Sequence, residues 1–288
     1  MGQIKVLITG AAGFTGSYLN KFLSEETDHK IFLVDSKPLD SYPASLTCDL
    51  AEPDKVKDLV AKIQPDQIYH LAGSFANHFE VDFKSNVLTT KTLFESLLDL
   101  NIKARILLVG SAAEYGLVNP KDNPVAETHS LSPISHYGLT KIFQKYCMDY
   151  FFNVHRMDIV LARPFNLLGK EISPKLFIGR VYEQLKLYKE GKLSKITVGN
   201  LEAKRDYIDV HEAVKQYYLI MEKGIAGQSY NIGSGQPIKI RDLLQKLLED
   251  EGLDMKIIEQ KERDLSGKLD AREIYADISK LKNLERQT

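Results

Sequence analysis

Hydrophobic and polar positions alternate in two rhythms through the first half of the chain. Short apolar runs of the kind that form buried strands cover residues 5–8, 31–34, 45–48, 67–71, 106–109 and 159–162. Between them, apolar residues recur at the spacing of one helical face over 15–24, 55–63, 84–100 and 139–152. Strands alternating with helices predict an α/β fold of Rossmann type, a doubly wound parallel sheet. Pro53 stands where a first helical turn accepts it, and Pro65 closes the same helix. After residue 165 the texture changes, with Pro164, Gly169, Pro174, Gly179, Gly191 and Gly199 separating shorter elements. Helices are predicted at 177–189, 212–222 and 241–248, strands at 195–198 and 228–232. The polar stretch 279–288 reads as a frayed helix.

Composition adds limits. A chain of 288 residues, 43% hydrophobic and 27% charged, is long enough for one large domain or two unequal ones. A formal net charge of −1 gives no broad attraction to nucleic acid or to an anionic membrane. No apolar run is long enough to cross a bilayer, and the N-terminus enters a strand within a few residues, unlike a signal peptide. Cys48 and Cys147 are isolated and lack metal spacing, and the seven histidines form no ligand cluster, so no metal is expected. These readings describe a soluble cytoplasmic protein.

The first predicted strand runs into Gly10, Gly13 and Gly16 at the spacing GxxGxxG, and a helical pattern follows. Strand, glycine turn and helix in that order form a phosphate cradle. Gly10 permits the tight turn, Gly13 the approach of a pyrophosphate and Gly16 close packing of helix on sheet, while the helix N-terminus offers unpaired N–H groups. Phe14 and Thr15 belong to the same loop. The second strand ends at Asp35, where a carboxylate accepts hydrogen bonds from the adenosine ribose and repels a 2′-phosphate. Lys37 lies close enough to hold such a phosphate. The charges favour NAD(H), with NADP(H) the alternative.

Two further stretches carry chemistry. Ser111 follows the strand at 106–109, and Tyr137 and Lys141 stand four residues apart at the start of a helix, on one face. A free tyrosine has a pKa of about 10. A nearby ammonium and an oxidised nicotinamide both favour the phenolate, so Tyr137 is expected to exchange a proton with a substrate oxygen while hydride moves. Ser111 would hold that oxygen by a hydrogen bond. YxxxK alone is a common accident; here glycine loop, Asp35, Ser111 and YxxxK follow in the order one site requires.

In these motifs the chain resembles the extended short-chain dehydrogenase/reductase family, over nearly its whole length. Gly10, Gly13 and Gly16 match the glycine motif, Cys48, Asp49 and Leu50 the adenine-contacting segment, and His70, Leu71, Ala72 and Gly73 the HLAA segment. Ser111, Tyr137 and Lys141 match the catalytic triad, and Arg163, Pro164, Phe165 and Asn166 the RxxN stretch beside the nicotinamide. The resemblance implies that Asp49, Leu50, Leu71, Ala72, Gly73 and Pro164 contact the cofactor together with Tyr137 and Lys141. It also implies a nucleotide-sugar substrate. The run from Val198 to Tyr207 is similar to a segment shared by GDP-mannose 4,6-dehydratases and GDP-4-dehydro-6-deoxy-mannose reductases. Within it Arg205 suits a diphosphate, or an ion pair with Asp206 or Glu202. Asn166, Arg180, Asn200 and Arg263 complete the expected substrate set.

A 4,6-dehydratase of this family needs a carboxylate two residues before the Tyr-Gly pair, where this chain has Ala113, preceded by Ala112. Glu114 is one residue late, and on an extended segment it would point to the opposite face. The residues therefore favour reduction of the 4-keto group of a GDP-4-keto-6-deoxyhexose. A 4-epimerase or C4 dehydrogenase is the enzymatic rival, and a non-catalytic NAD(P)-binding regulator the rival of another class. The chain departs from the family pattern at 166–171, at His136 in place of Pro, and at Asp264 after Arg263. The expected organisation is a cofactor domain over 1–165 with parts of 206–235, and a smaller substrate-binding lobe from 166–205 and 236–288. The helices at 84–100 and 139–152 carry more apolar residues than one buried face requires, among them Phe94, Leu97, Phe143, Tyr146 and Tyr150. Surplus apolar surface predicts a partner, and the family resemblance implies that it is a second copy, a homodimer through these helices; alternatively, they only cover the sheet.

Overall fold

The apolar run containing Val6, Leu7 and Ile8 becomes β1 (Lys5–Thr9), near the middle of a seven-stranded sheet. The structure, a computed structural model, describes residues 2–39, 42–261 and 272–286. Strands β2 (Lys30–Asp35), β3 (Leu46–Thr47), β4 (Gln67–His70), β5 (Arg105–Val109) and β6 (Ile159–Pro164) follow in chain order. After β7 (Asn166–Leu168), β8 (Ile196–Val198) and β9 (Lys204–Asp209), the chain returns with β10 (Ser229–Ile232). The sheet order is β10-β6-β5-β4-β1-β2-β3, and every pair is parallel. Leaving β1, the chain builds one side through β2 and β3, then crosses to β4 and builds the other. The crevice at the carboxyl ends of β1 and β4 is the place where such a sheet binds ligands.

Alternation along each strand divides the core between two layers. Val6, Ile8, Tyr69, Leu107 and Val160 face α1 (Phe14–Glu26) and α7 (Val210–Lys223). Leu7, Ile68, Ile106, Leu108 and Leu161 face α2 (Pro53–Ile63), α4 (Thr89–Asp99) and α5 (His136–His155). Each fully buried aliphatic side chain contributes roughly 1.5–3 kcal/mol. The helix predicted from residue 84 differs from this picture. It is preceded by α3 (Phe79–Asp82) and a π-helical turn, Phe83–Leu88, before α4 begins. The wide turn directs Asn86 inward, where its amide donates to Ser74 O at 3.0 Å and to Thr140 Oγ1 at 2.9 Å.

Beyond β6 a second sheet gathers around β9. It pairs in parallel with β7 and with β13 (Glu273–Ile274), and antiparallel with β11 (Pro237–Lys239). The sequence KRDYID lacks an apolar rhythm because its central Asp206 is fully buried. The Asp206 carboxylate accepts from Ser234 N at 2.8 Å, Ser234 Oγ at 2.6 Å, Gly235 N at 3.0 Å and Ala276 N at 3.1 Å. A smaller core lies between α6 (Phe177–Lys189), β8 and α8 (Ile240–Glu249), with β12 (Ile258–Gln260) pairing β8. The stretch read as frayed is instead α9 (Ser279–Glu285), which buries Leu281 and Leu284 against the layer of α7. Among the described residues, no helix is long and apolar enough to cross a membrane.

Candidate active site

The glycine loop follows β1 directly. Gly10 has φ +69°, and a Cβ there would lie 2.7 Å from Ala72 N, so both backbone conformation and space require glycine. A Cβ on Gly16 would meet Gly10 O at 2.6 Å, which lets α1 sit tight on the turn. Gly13 meets only Gly10 O, at 3.1 Å, and it caps α1 without any side-chain bond to the first-turn N–H groups. An uncapped helix start beside a residue lacking Cβ fits a pyrophosphate. Asp35 supports the loop from β2. Its Oδ2 accepts from Ala12 N at 3.0 Å and its Oδ1 from Ser36 N at 2.8 Å.

A cleft of about 330 Å³ opens at this point, lined by Gly10, Gly13, Asp35, Asp49, Leu50, Leu71, Ala72 and Gly73. Ser36, Cys48, Lys84, Ser85 and Thr89 complete the wall, and the last three come from the π-helical turn and α4, where the sequence offered no motif. Lys84 Nζ lies 3.1 Å from Asp49 Oδ2. A backbone hydrogen bond from Ala51, with help from Lys84, lowers the Asp49 pKa against the effect of burial. Of the expected cofactor contacts, Phe14, Thr15, Gly16, Tyr137, Lys141 and Pro164 stand outside the lining. The Phe14 ring turns toward Tyr18 and Gly169, Gly16 packs under the turn, and Pro164 ends β6 opposite Ile232.

Ser111 and Tyr137 are brought together by a second close approach. Ser135 caps α5 by accepting from Gly138 N at 3.0 Å, which places Tyr137 in the first turn. A Cβ on Gly138 would lie 2.5 Å from Ala113 O, so glycine lets α5 press onto the 3₁₀ turn Ala112–Glu114. Ser111 caps that turn and hydrogen-bonds the Tyr137 side chain. Glu114 is not on an extended segment as expected. It curls back, fully buried, to accept from Ser111 N at 2.7 Å, and its other oxygen lies 2.8 Å from Arg163 Nη2. Arg163, expected beside the nicotinamide, is a buried structural partner that also donates to Tyr115 OH at 2.8 Å.

Lys141 stands beside Tyr137 as expected. Its Nζ lies 5.9 Å from the centre of the Tyr137 ring and donates to Val109 O and Gln144 Oε1, each at 2.9 Å. Burial lowers the Lys141 pKa to about 8, against the raising influence of Glu114 and Asp82. The Tyr137 pKa is not lowered. Burial pushes it up to about 12, opposed by the Ser111 hydrogen bond and reinforced by the negative charges of Glu114 and Asp82. The phenol is thus held protonated at neutral pH.

The predicted substrate residues are spread over the second sheet and its surroundings. Asn166 opens β7 and donates to Asp206 O at 2.9 Å. Arg205 lies on the adjacent β9 and donates to Lys204 O at 2.8 Å. Arg180 on α6 donates to Lys175 O at 2.8 Å, and Asn200 accepts from Glu202 N at 2.9 Å. Of the two carboxylates named for Arg205, Glu202 meets Lys239 and Arg241 and Asp206 holds the Ser234 turn. Arg263 lies outside the described residues.

Comparison with known proteins agrees with this geometry. The sequence model of the NAD dependent epimerase/dehydratase family matches residues 6–233. A GDP-6-deoxy-D-talose 4-dehydrogenase of Aggregatibacter actinomycetemcomitans is 29% identical, covering 98% of this chain and 91% of that protein. A GDP-6-deoxy-D-mannose reductase of Pseudomonas aeruginosa is 26% identical over 90% of this chain and 84% of its own length. Among solved structures, RMD from Pseudomonas aeruginosa complexed with NADPH superposes with a TM-score of 0.84 at 25% identity, over 98% of this chain and 92% of that one. UDP-glucose 4-epimerase of Thermotoga maritima shares the fold, with a TM-score of 0.86 at 24% identity over 98% and 93% of the two chains. The chain belongs to the NAD dependent epimerase/dehydratase family, NAD(P)-dependent enzymes of nucleotide-sugar chemistry within the extended short-chain dehydrogenases/reductases.

Proposed function

We propose that the protein is an NAD(P)-dependent oxidoreductase that reduces the 4-keto group of a GDP-4-keto-6-deoxyhexose. The observation that carries this reading is the pairing of Ser111 with a protonated Tyr137 beside the glycine-loop cleft, with no uncommitted carboxylate on the Ser111 turn. Ala112 and Ala113 are inert, and Glu114 is committed to Arg163 and Ser111, so this turn lacks a base for eliminating water from C5 and C6. The GDP-6-deoxy-D-talose 4-dehydrogenase supports chemistry at C4, and both it and the GDP-6-deoxy-D-mannose reductase support a GDP-bound 6-deoxy sugar.

The bound cofactor supplies or accepts the hydride. In the direction of reduction, Tyr137 donates its phenolic proton to the C4 oxygen, and a pKa near 12 keeps that proton in place until needed. Ser111 Oγ orients the same oxygen, and its backbone is fixed by Glu114. Two of the three ammonium protons of Lys141 are committed to Val109 and Gln144, leaving the third for the nicotinamide ribose. Gly10 and Gly13 with the start of α1 would hold the pyrophosphate, and Gly16 lets α1 sit tight on that turn. Phe14, Thr15 and Pro164 belong to the rest of the cofactor's path, and Asn166, Arg180, Asn200 and Arg205 serve the sugar nucleotide.

Asp35, fixed by two backbone bonds at the cleft, favours NAD(H). NADP(H) is the second reading, supported by NADPH in the Pseudomonas aeruginosa RMD structure. The cofactor domain comprises 1–165 with parts of 206–235, and 166–205 with 236–288 form the substrate lobe. The protein acts in the cytoplasm as a homodimer through α4 and α5. Phe94 and Leu97 are buried in the core, so the face for a partner is carried by Tyr146 and Tyr150, 56% and 55% exposed.

A thermal-shift panel of GDP, UDP, dTDP and CDP with either cofactor tests the substrate class. GDP is expected to raise the melting temperature above the shift from the other nucleotides, because only ligands that bind the native state stabilise it. Equal shifts from all four would contradict a GDP-sugar site.

A further inference from the structure

Lys141 is tethered behind Gly73 of the cleft wall by a buried polar chain that the catalytic motif does not contain. Gln144, one turn further along α5 and fully buried, accepts from Lys141 Nζ at 2.9 Å. Its own amide donates to Thr90 Oγ1 on α4 at 2.8 Å. Thr90 in turn donates to Asn86 O at 2.7 Å, so its contact of 3.0 Å with His70 Nε2 needs a proton on that nitrogen. His70 Nδ1 is then the acceptor from Thr9 Oγ1 at 2.8 Å. Every donor in the chain has one direction, and the Gln144 amide can sit only one way round.

We propose that Gln144 is a positioning residue for Lys141: its amide holds the ammonium at the cleft wall beside Gly73, with one N–H left to face the bound cofactor. The position beside Gly73 is direct, since a Cβ there would lie 3.4 Å from Lys141 Nζ. Gly73 also lines the cofactor cleft. Val109 O is the second tether, and a backbone carbonyl cannot be exchanged for another group. Gln144 therefore sets how strongly the ammonium is stabilised. Other groups around it are Glu114 on the Ser111 turn, Asp82 on α3, His70 on β4 and Tyr137 on its own helix. The first two are negative, His70 is neutral, and none of these replaces the lost acceptor.

This role rests on the cofactor site and on Lys141 facing it, and it is independent of which sugar is reduced. The test is NAD(P)H binding to the purified full chain, followed by cofactor fluorescence across pH without any substrate. Parent binding is expected to weaken as pH rises through the Lys141 pKa of about 8, because the neutral amine has only two N–H groups and Val109 and Gln144 take both. Gln144→Met keeps volume and removes the acceptor. It is expected to weaken binding about tenfold near neutrality and to move the midpoint to lower pH. Gln144→Glu restores an acceptor with a charge, and is expected to recover affinity and move the midpoint above the parent's. Melting temperatures identify any variant that fails to fold, and the opposite displacement by Glu and Met is not produced by a packing defect. Unchanged midpoints in both folded variants would overturn the assignment. A parent that binds NAD(P)H with these shifts but reduces no keto sugar would leave Gln144 standing and remove the proposed reaction instead.

Discussion

Glu114 and Arg163 carry opposite charges with almost no water around either side chain, at 0% and 1% exposure. Such a pair is worth little in itself, but removing one member leaves the other charged and buried. Glu114→Ala is expected to lower unfolding free energy by about 3–5 kcal/mol in a urea titration. A loss below about 1 kcal/mol would show that the pair is not holding the Ser111 turn. His70 offers a second residue-level test. Burial lowers its pKa from 6.5 to about 3, with Lys141 adding to the effect. The neutral ring therefore contributes stability in full above pH 6.5, and that contribution is lost as pH falls toward 3, because only the unfolded chain takes the proton readily. His70→Gln should flatten the pH dependence of stability in that window. An unchanged slope would mean that His70 is not the residue responsible. At Tyr137, replacement by Phe is expected to reduce turnover about a hundredfold or more while leaving cofactor affinity near the parent's.

Among the elements, the loop between β1 and α1 separates two uses of glycine. Gly10→Ala forces a Cβ into Ala72 at a left-handed backbone position, and is expected to destabilise the fold by at least about 1 kcal/mol. Gly13→Ala meets a single oxygen at 3.1 Å and should melt close to the parent while losing NAD(P)H affinity in a fluorescence titration. If Gly13→Ala bound as tightly as the parent, the cradle would lie elsewhere. The parallel sheet was legible because its strands are buried on both faces and punctuated by helices. The second sheet was not, because β9 is built around Asp206, a charge hidden by four hydrogen bonds, and neighbours such as β13 are only two residues long. The candidate triad was readable from spacing, but the state of its members was not. A YxxxK motif places Lys141 near Tyr137, while the acceptors at Val109 and Gln144 decide where the ammonium points. Gln144 and Asn86 could have been suspected as polar residues on faces that the helical rhythm buries.

For the whole molecule, apolar surface remains along the outer face of α5. Tyr146, Tyr150 and Val154 are each more than half exposed, and a cleft of about 380 Å³ opens beside Tyr150, His155, Leu98 and Pro53. A helix that already covers the sheet with Met148 and Phe151 gains nothing from these residues unless a second surface covers them. Tyr146→Glu with Tyr150→Glu is expected to convert a dimer to a monomer in sedimentation experiments; a monomeric parent would contradict the proposed assembly. The most direct test of the proposed reaction is the balance between cofactor and sugar. With a GDP-4-keto-6-deoxyhexose, the parent is expected to consume NAD(P)H in amounts equal to the keto sugar reduced, and Tyr137→Phe almost none. Conversion of sugar nucleotides by the parent with NAD(P)H unchanged would contradict a reductase and indicate an epimerase that returns its hydride.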